Sequence, residues 1–410
     1  MNTFMKRTFF TIGAGALGSA LLLAATTTEA KADSGVALMH SQKVANENNG
    51  FEIPSSSARF VYQSGYHFDY PEDGVRGIFL TAHSAGGSRL NTLVDFVNET
   101  DINSMVIDIK DDTGNITYMP DEDSPFYDIA KNYIDDPAEM MSVLEENEIY
   151  PIARIVVFKD SVLADLKPEL SFRESNGELW KNRNGDAFVN PFLEEVWDYN
   201  VEVAKEAAKM GFRDVQFDYV RFPEGFLNRS DSLTYGLGNY DDGEGDTVDS
   251  RIDAVADFVG YAREELQPFD VEVSVDIFGA AARGFEENVG QDFVKISENV
   301  DVISSMPYPS HWGPFSIGNI DKPDLYPYEV MDEYSQLEND VLDELGDEKP
   351  TQRPWLQDFT ASYLGAGNYT NYGVNEIEAQ IQALYDNDIH EFLLWNASNT
   401  YTEGVDYVNP

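Results

Sequence analysis

Asp218, Tyr219 and Arg221 fall within four residues of one another in the stretch 212–223, FRDVQFDYVRFP, directly after the apolar run 215–217. An acid, a phenol and a guanidinium at the end of a buried strand form the kind of polar site that α/β barrels carry at the carboxyl ends of their strands. Asp218 is therefore the first candidate for a catalytic carboxylate; its structural alternative is a loop cap or a pair with Arg221. Asp276 and Asp358 stand in the same relation to the apolar runs 272–277 and 355–357. Cleavage of a glycosidic bond ordinarily takes two carboxyl groups, one protonating the leaving oxygen and one acting as nucleophile or as base for water. Asp218 and Asp276 end the fourth and fifth of eight candidate strands, which as neighbours set the two side chains on either side of one bond. Asp358, ending the seventh, faces them as a third acid. Asp276 also reads as a buried structural acid bonded to backbone amides, and Asp358 as a helix cap.

The elements that must hold these residues are legible as alternation. Strands are expected at 77–80, 104–109, 152–157, 215–217, 272–277, 302–306, 355–357 and 392–395, and helical spacing recurs at 89–97, 138–146, 193–210, 252–266, 293–298 and 377–385. Eight strands with intervening helices spell a (β/α)8 TIM barrel over 75–410. That span exceeds the roughly 250 residues typical of the fold. The excess is expected as long βα loops after strands 3 and 4, at 159–190 and 225–249. A doubly wound open sheet is the alternative, but no Gly-rich phosphate loop follows the first strand.

Residues just past the strands converge on one face of such a barrel. In chain order they are Thr81 and His83; Asp108, Lys110 and Asp111; Arg154; Asp218, Tyr219 and Arg221; Asp276; Tyr308, His311 and Trp312; Gln357 and Asp358; Trp395 and Asn396. Carboxylates and aromatic rings with few histidines suit a sugar, whose CH faces stack on rings while its hydroxyls bond to Asp, Arg, Asn and Gln. Tyr219, Arg221, Arg154, Asp108, Tyr308, Trp312, Gln357, Trp395 and Asn396 are accordingly the expected substrate-binding set. Asp108, Lys110 and Asp111 also read as an internal salt-bridge cluster. The five histidines, at positions 40, 67, 83, 311 and 390, contain no H-x-H or H-x-x-x-H pair. A metal site built on His83 and His311 is thus the lesser reading, and neither metal nor cofactor is expected. No G-x-S-x-G elbow appears. The acidic run DDGEGD, Asp241 to Asp246, departs from the D-x-D-x-D-G calcium loop and reads as a solvated loop.

Composition narrows the partners. A formal charge of −47, from 27 Lys and Arg against 74 Asp and Glu, repels nucleic acid, anionic lipid and polyanionic glycans. There is no cysteine, so disulfides, thiolate metal sites and a Cys nucleophile are excluded. Lys6 and Arg7 precede an apolar run over 9–25, and Ala30-Lys31-Ala32 supplies a small-x-small site. Residues 1–32 therefore read as a secretory signal peptide, and the mature protein as exported and free of the membrane. Residues 33–74 read as an N-terminal arm or linker whose aromatic end, Tyr62 to Tyr70, packs on the main domain.

Six stretches then carry a family likeness: GIFLTAHSAG (77–86), VIDIKDDTG (106–114), FDYVRFP (217–223), MPYPSHW (306–312), RPWLQDFT (353–360) and LLWNASNTY (393–401). Together they resemble the glycoside hydrolase barrel domain of bacterial cell-surface proteins first described as a domain of unknown function. The layout is also similar to α-amylase-type barrels, in which the nucleophile ends strand four, the acid ends strand five and a third acid ends strand seven. Asp218, Asp276 and Asp358 match those positions. The sequence departs in having Asp at 276 where that group generally has Glu, and Gln216 where it has Arg. The resemblance implies a secreted enzyme cleaving an extracellular or cell-wall polysaccharide, and the charge favours a neutral or amino-sugar polymer. The alternatives are a non-catalytic glycan-binding module of the wall or spore surface, and a metal-dependent polysaccharide deacetylase.

Overall fold

The computed structural model describes residues 61–284 and 286–410. The expected signal peptide and the first part of the arm, 33–60, lie outside the described residues. Eight parallel strands follow one another around a sheet: β1 Arg76–Leu80, β2 Ser104–Lys110, β3 Tyr150–Val156, β4 Asp214–Asp218, β5 Glu272–Phe278, β6 Val302–Met306, β7 in two pieces at Thr351–Gln352 and Trp355–Gln357, and β8 Phe392–Trp395. The first piece of β7 pairs with β6 and the second with β8, which pairs in turn with β1. Arg353 N–H donates to Ile303 O and Leu393 N–H to Pro354 O, so the circuit closes through this break. Proline has no N–H to give to a ladder, and β7 divides beside it.

The main helices cover the outside: α1 Arg89–Asn98, α2 Pro137–Glu146, α3 Glu194–Met210, α4 Val248–Leu266, α5 Phe293–Ser297, α6 Pro327–Leu342 and α7 Val374–Tyr385, with short additional helices at Ala82–Ala85 and Ser161–Leu166 in the loops after β1 and β3. Their boundaries have local causes. Asp136 caps α2 by accepting from Glu139 N–H, with Pro137 in the first turn, and α3 stops at Gly211 with φ 117°. The (β/α)8 reading therefore holds strand for strand. Features not anticipated include α6 and a small parallel pair, Ile116–Tyr118 with Ala130–Ile134, in the loop after β2.

Alternation along the strands divides the interior in two. Ile78, Leu80, Ala153 and Ile155 face the helices in a large outer core, whereas Val75, Phe79, Val106, Tyr150, Ile152, Trp355 and Leu393 form a separate cluster with Tyr308 inside the barrel. The loops after β3 and β4 merge into one wall, since Arg173 bridges to both Leu179 and Thr234 and Phe172 packs on Phe222, Phe226 and Tyr235. The acidic run lies in this wall: Asp246 accepts from Arg251 Nε (2.7 Å) and from the Tyr235 hydroxyl (2.6 Å). At the other end of the barrel the arm docks, with Phe68 buried and Tyr70 edge-on to Tyr150 at 5.4 Å.

Candidate active site

The site is organised on Arg154, a fully buried guanidinium on β3. It donates through Nε (3.0 Å) and Nη2 (2.5 Å) to Oδ2 of Asp218 on β4, and through Nη1 (2.6 Å) to Oδ1 of Asp108 on β2. Asp112, half-exposed, stands 3.5 Å from the same Nη1. The guanidinium lies against the rings of Phe79 and Trp395, at 5.5 and 5.6 Å, which are stacked on each other at 4.2 Å. Aromatic faces and carboxylates together fix a planar cation. The alternative pairing of Asp218 with Arg221 is not seen: Arg221 stacks on Phe278 (4.6 Å) and Tyr219 (5.0 Å).

Asp218 is 7% exposed and its other oxygen accepts Tyr219 N–H at 2.6 Å. Tyr219 has φ 54°, a left-handed conformation rare for a bulky residue, which turns the chain sharply at the end of β4. Lys159 lies 4.7 Å over the Tyr219 ring and 3.4 Å from Asp112. Asp112 is held below the usual carboxylate range: burial pushes it up, but Arg154 and Lys159 outweigh that.

The register pairs Phe217 with Val275, so the residues that follow, Asp218 and Asp276, stand side by side on neighbouring strands. Asp276 is 2% exposed and accepts the indole N–H of Trp355 at 2.7 Å. Burial, and next the charge of Asp218, push its carboxyl well above the usual range, against the pull of the Trp355 hydrogen bond. Burial likewise lifts Asp108 to about 7, with Arg154 opposing. Tyr308, buried at the same level, feels both Asp276 and Asp218. One carboxyl bound by a cation beside a second whose proton affinity is raised is an arrangement that can serve acid-assisted displacement at a sugar carbon.

Several expected residues stand elsewhere. Asp358 is not brought to this pair: Oδ1 accepts the Thr402 hydroxyl (2.7 Å) and Oδ2 the Thr402 N–H (3.0 Å), while Phe359 takes the place beside the interior cluster. Trp312 turns into the outer core, donating to Pro307 O and packing on Tyr334 of α6. Gln357 braces the loops, accepting Ser310 N–H and donating to Asp324, and Asn396 bonds within its own turn and to Asp358 O. Lys110 does not join Asp108. A register shift between the two turns Lys110 outward, where it meets buried Asp160 at 2.6 Å. Reasoning on strand ends missed Phe79 and Trp355, whose signal is parity: each lies at an inward position of a strand already recognised. His83 packs on Tyr133 and His311 on Tyr308, and among the described residues no group of three His, Asp or Glu is arranged to hold a metal ion.

A closed parallel barrel with a carboxylate-rich mouth is the architecture of glycoside hydrolases. The family model described as "Putative glycosyl hydrolase domain" matches residues 77–401, and the chain belongs to that family. Among solved structures, the chain is similar to the PgaB (BpsB) glycoside hydrolase domain from Bordetella bronchiseptica, at 13% identity and TM-score 0.55 over 78% of this chain and 94% of that one. The β-galactosidase from Marinomonas ef1 gives 12% and 0.52 over 78% and 54%. A hypothetical protein from Ruminiclostridium thermocellum ATCC 27405 is 32% identical over 48% of this chain and 96% of that one, with TM-score 0.41. No curated protein matches the sequence.

Proposed function

We propose that this glycoside hydrolase is exported and cleaves a neutral or amino-sugar polysaccharide of the extracellular matrix or cell wall, with Asp276 as general acid and Asp218 as nucleophile or base. The observation that carries the reading is the adjacent carboxyl pair in which Arg154 binds Asp218 while burial and the charge of Asp218 push the Asp276 carboxyl well above the usual range. In the reaction Asp276 gives its proton to the glycosidic oxygen as the bond to the anomeric carbon breaks. Asp218 either attacks that carbon or takes a proton from the water that does. Arg154 holds Asp218 in place through two hydrogen bonds, and half-buried Trp395, backed by Phe79, offers a ring face at the floor. Asp358 then serves to anchor the chain after β8 and takes no part in the chemistry. The charge of −47 supports a polymer without acidic groups, and the apolar run over 9–25 behind Lys6 and Arg7 supports export.

The test is release of reducing ends from a panel of neutral and amino-sugar glycans by the purified protein, beside Asp218→Asn and Asp276→Asn. General acid and nucleophilic groups contribute about 10²-fold or more, so both variants should lose at least that much while keeping the fold. Undiminished release by both would overturn the assignment.

A further inference from the structure

Beyond the carboxyl pair, the rim of the barrel mouth carries aromatic side chains that the reaction does not use. Tyr308 lies at the floor beside Asp276 and Asp218. Its ring meets two others edge-on: His311 at 4.9 Å, exposed, and Phe359 at 5.9 Å, half-buried. One step further out stands Tyr363, 68% exposed, whose hydroxyl donates to Ser310 Oγ at 3.1 Å. Three rings thus cluster beside the buried carboxyls, and Tyr363 joins them through Ser310, the residue before His311.

The loops that bear them are stitched into one unit. Gln357 accepts Ser310 N–H (3.1 Å) and donates to Asp324 (2.9 Å); Asp324 accepts Thr370 N–H (3.2 Å); Lys322 donates to Gly367 O (2.8 Å). A large ring held out in water on braced backbone loses little conformational freedom when something stacks on it. With hydroxyl and imidazole groups beside each ring, the surface offers apolar faces and hydrogen bonds together, which is what a pyranose ring presents in return.

We propose that Phe359, His311 and Tyr363 form a second sugar-binding subsite, a track that leads a neutral or amino-sugar chain from the paired carboxyls outward over the loops after β6 and β7. The inference rests on the hydrolase reading for its occupant: a polymer cleaved at Asp218 and Asp276 must continue past the broken bond, and this surface is continuous with that floor. The strongly negative protein excludes a polyanionic chain from the same place.

Affinity electrophoresis of the purified protein through gels containing hydroxyethyl cellulose, glycol chitin or glycol chitosan tests it. Tyr363→Ala should weaken retardation about tenfold or less in apparent affinity, the scale of one aromatic stacking contact. Tyr363→Phe, which keeps the ring and loses the bond to Ser310, should retain most of it. Tyr62→Ala is the control, an exposed ring (44%) at the opposite end, where its N–H donates to Pro268 O; it should run as the parent does. Equal retardation of Tyr363→Ala and parent, an equal loss in Tyr62→Ala, or no retardation of the parent by any of the three polymers would overturn the subsite. Reducing ends released by the parent are scored separately. Retardation that depends on Tyr363 without any hydrolysis would refute the enzymatic reading and leave the subsite standing.

Discussion

Replacing Asp108 with asparagine isolates the charge balance of the site. Arg154 is a single cation facing Asp108, Asp218 and Asp112, with Asp276 close behind, and the acid that gives way is Asp108, which burial lifts from 3.8 to about 7. A carboxyl whose folded pKa lies above its unfolded one takes up a proton on folding, so its contribution is present in acid and is lost as pH rises from about 4 to about 7. At 1.36 kcal/mol per unit, and with Asp108 nearly all protonated in the fold at pH 5 and nearly all ionised at pH 8, the loss over that interval is roughly 2–3 kcal/mol. Asparagine keeps the shape and can still accept from Arg154 Nη1, but does not titrate. Urea unfolding of the parent and Asp108→Asn at pH 5 and pH 8 should show the variant gaining roughly 2–3 kcal/mol relative to the parent on going to pH 8. Because every other titrating group is common to both proteins, the difference belongs to Asp108 and the groups coupled to it. Stability curves that stay parallel to within about 0.5 kcal/mol would refute the reasoning.

Two further substitutions separate chemistry from architecture. Asp358→Ala removes both acceptors of Thr402, so thermal unfolding should register a loss of about 1–3 kcal/mol, while kcat falls far less than in Asp218→Asn; a loss of activity as deep as that of Asp218→Asn would return Asp358 to the reaction. Arg353→Met leaves Asp214, Glu272 and Glu391 without their shared cation in the lower barrel, and should cost about 3–5 kcal/mol by urea unfolding at neutral pH.

The strands were legible because each is a short apolar run closed by a polar residue; 302–306, 355–357 and 392–395 coincide with the observed elements or a piece of them. Helix α6 was not, since PYEVMDEYSQLENDVL sets Val330, Met331, Tyr334 and Leu342 among so many acids and amides that its buried face is narrow. Of the three acids, Asp218 and Asp276 stand side by side because they share inward parity with Gln216 and Ser274. Asp358 shares instead the parity of Leu356, which packs in the outer core, a difference that counting from the strand end alone does not carry. Lys110 failed for the opposite reason: parity put it with Asp108, and a register shift invisible in sequence turned it away. Arg154 as the hub was within reach as an arginine in mid-strand, because a buried guanidinium must find acids; which acids depended on strand order.

Perturbed carboxyls alone do not locate this site, because the barrel carries two sets of them on the same two strands. Four residues below Asp218 and Asp276, the register pairs Asp214 with Glu272, and burial lifts Asp214 to about 7 as it does Asp108. Arg353 serves that lower set as Arg154 serves the upper, bonding Asp214 at 2.6 Å and Glu391 at 2.8 Å. The two layers differ in place. In the lower, Tyr70 of the arm bonds Glu391 and lies against Tyr150. The upper lies at the carboxyl ends of the strands, beside half-buried Tyr219 and Trp395 and the loops that follow them. Perturbation marks where charge is crowded, and position at the carboxyl ends of the strands decides which crowd is the candidate for chemistry.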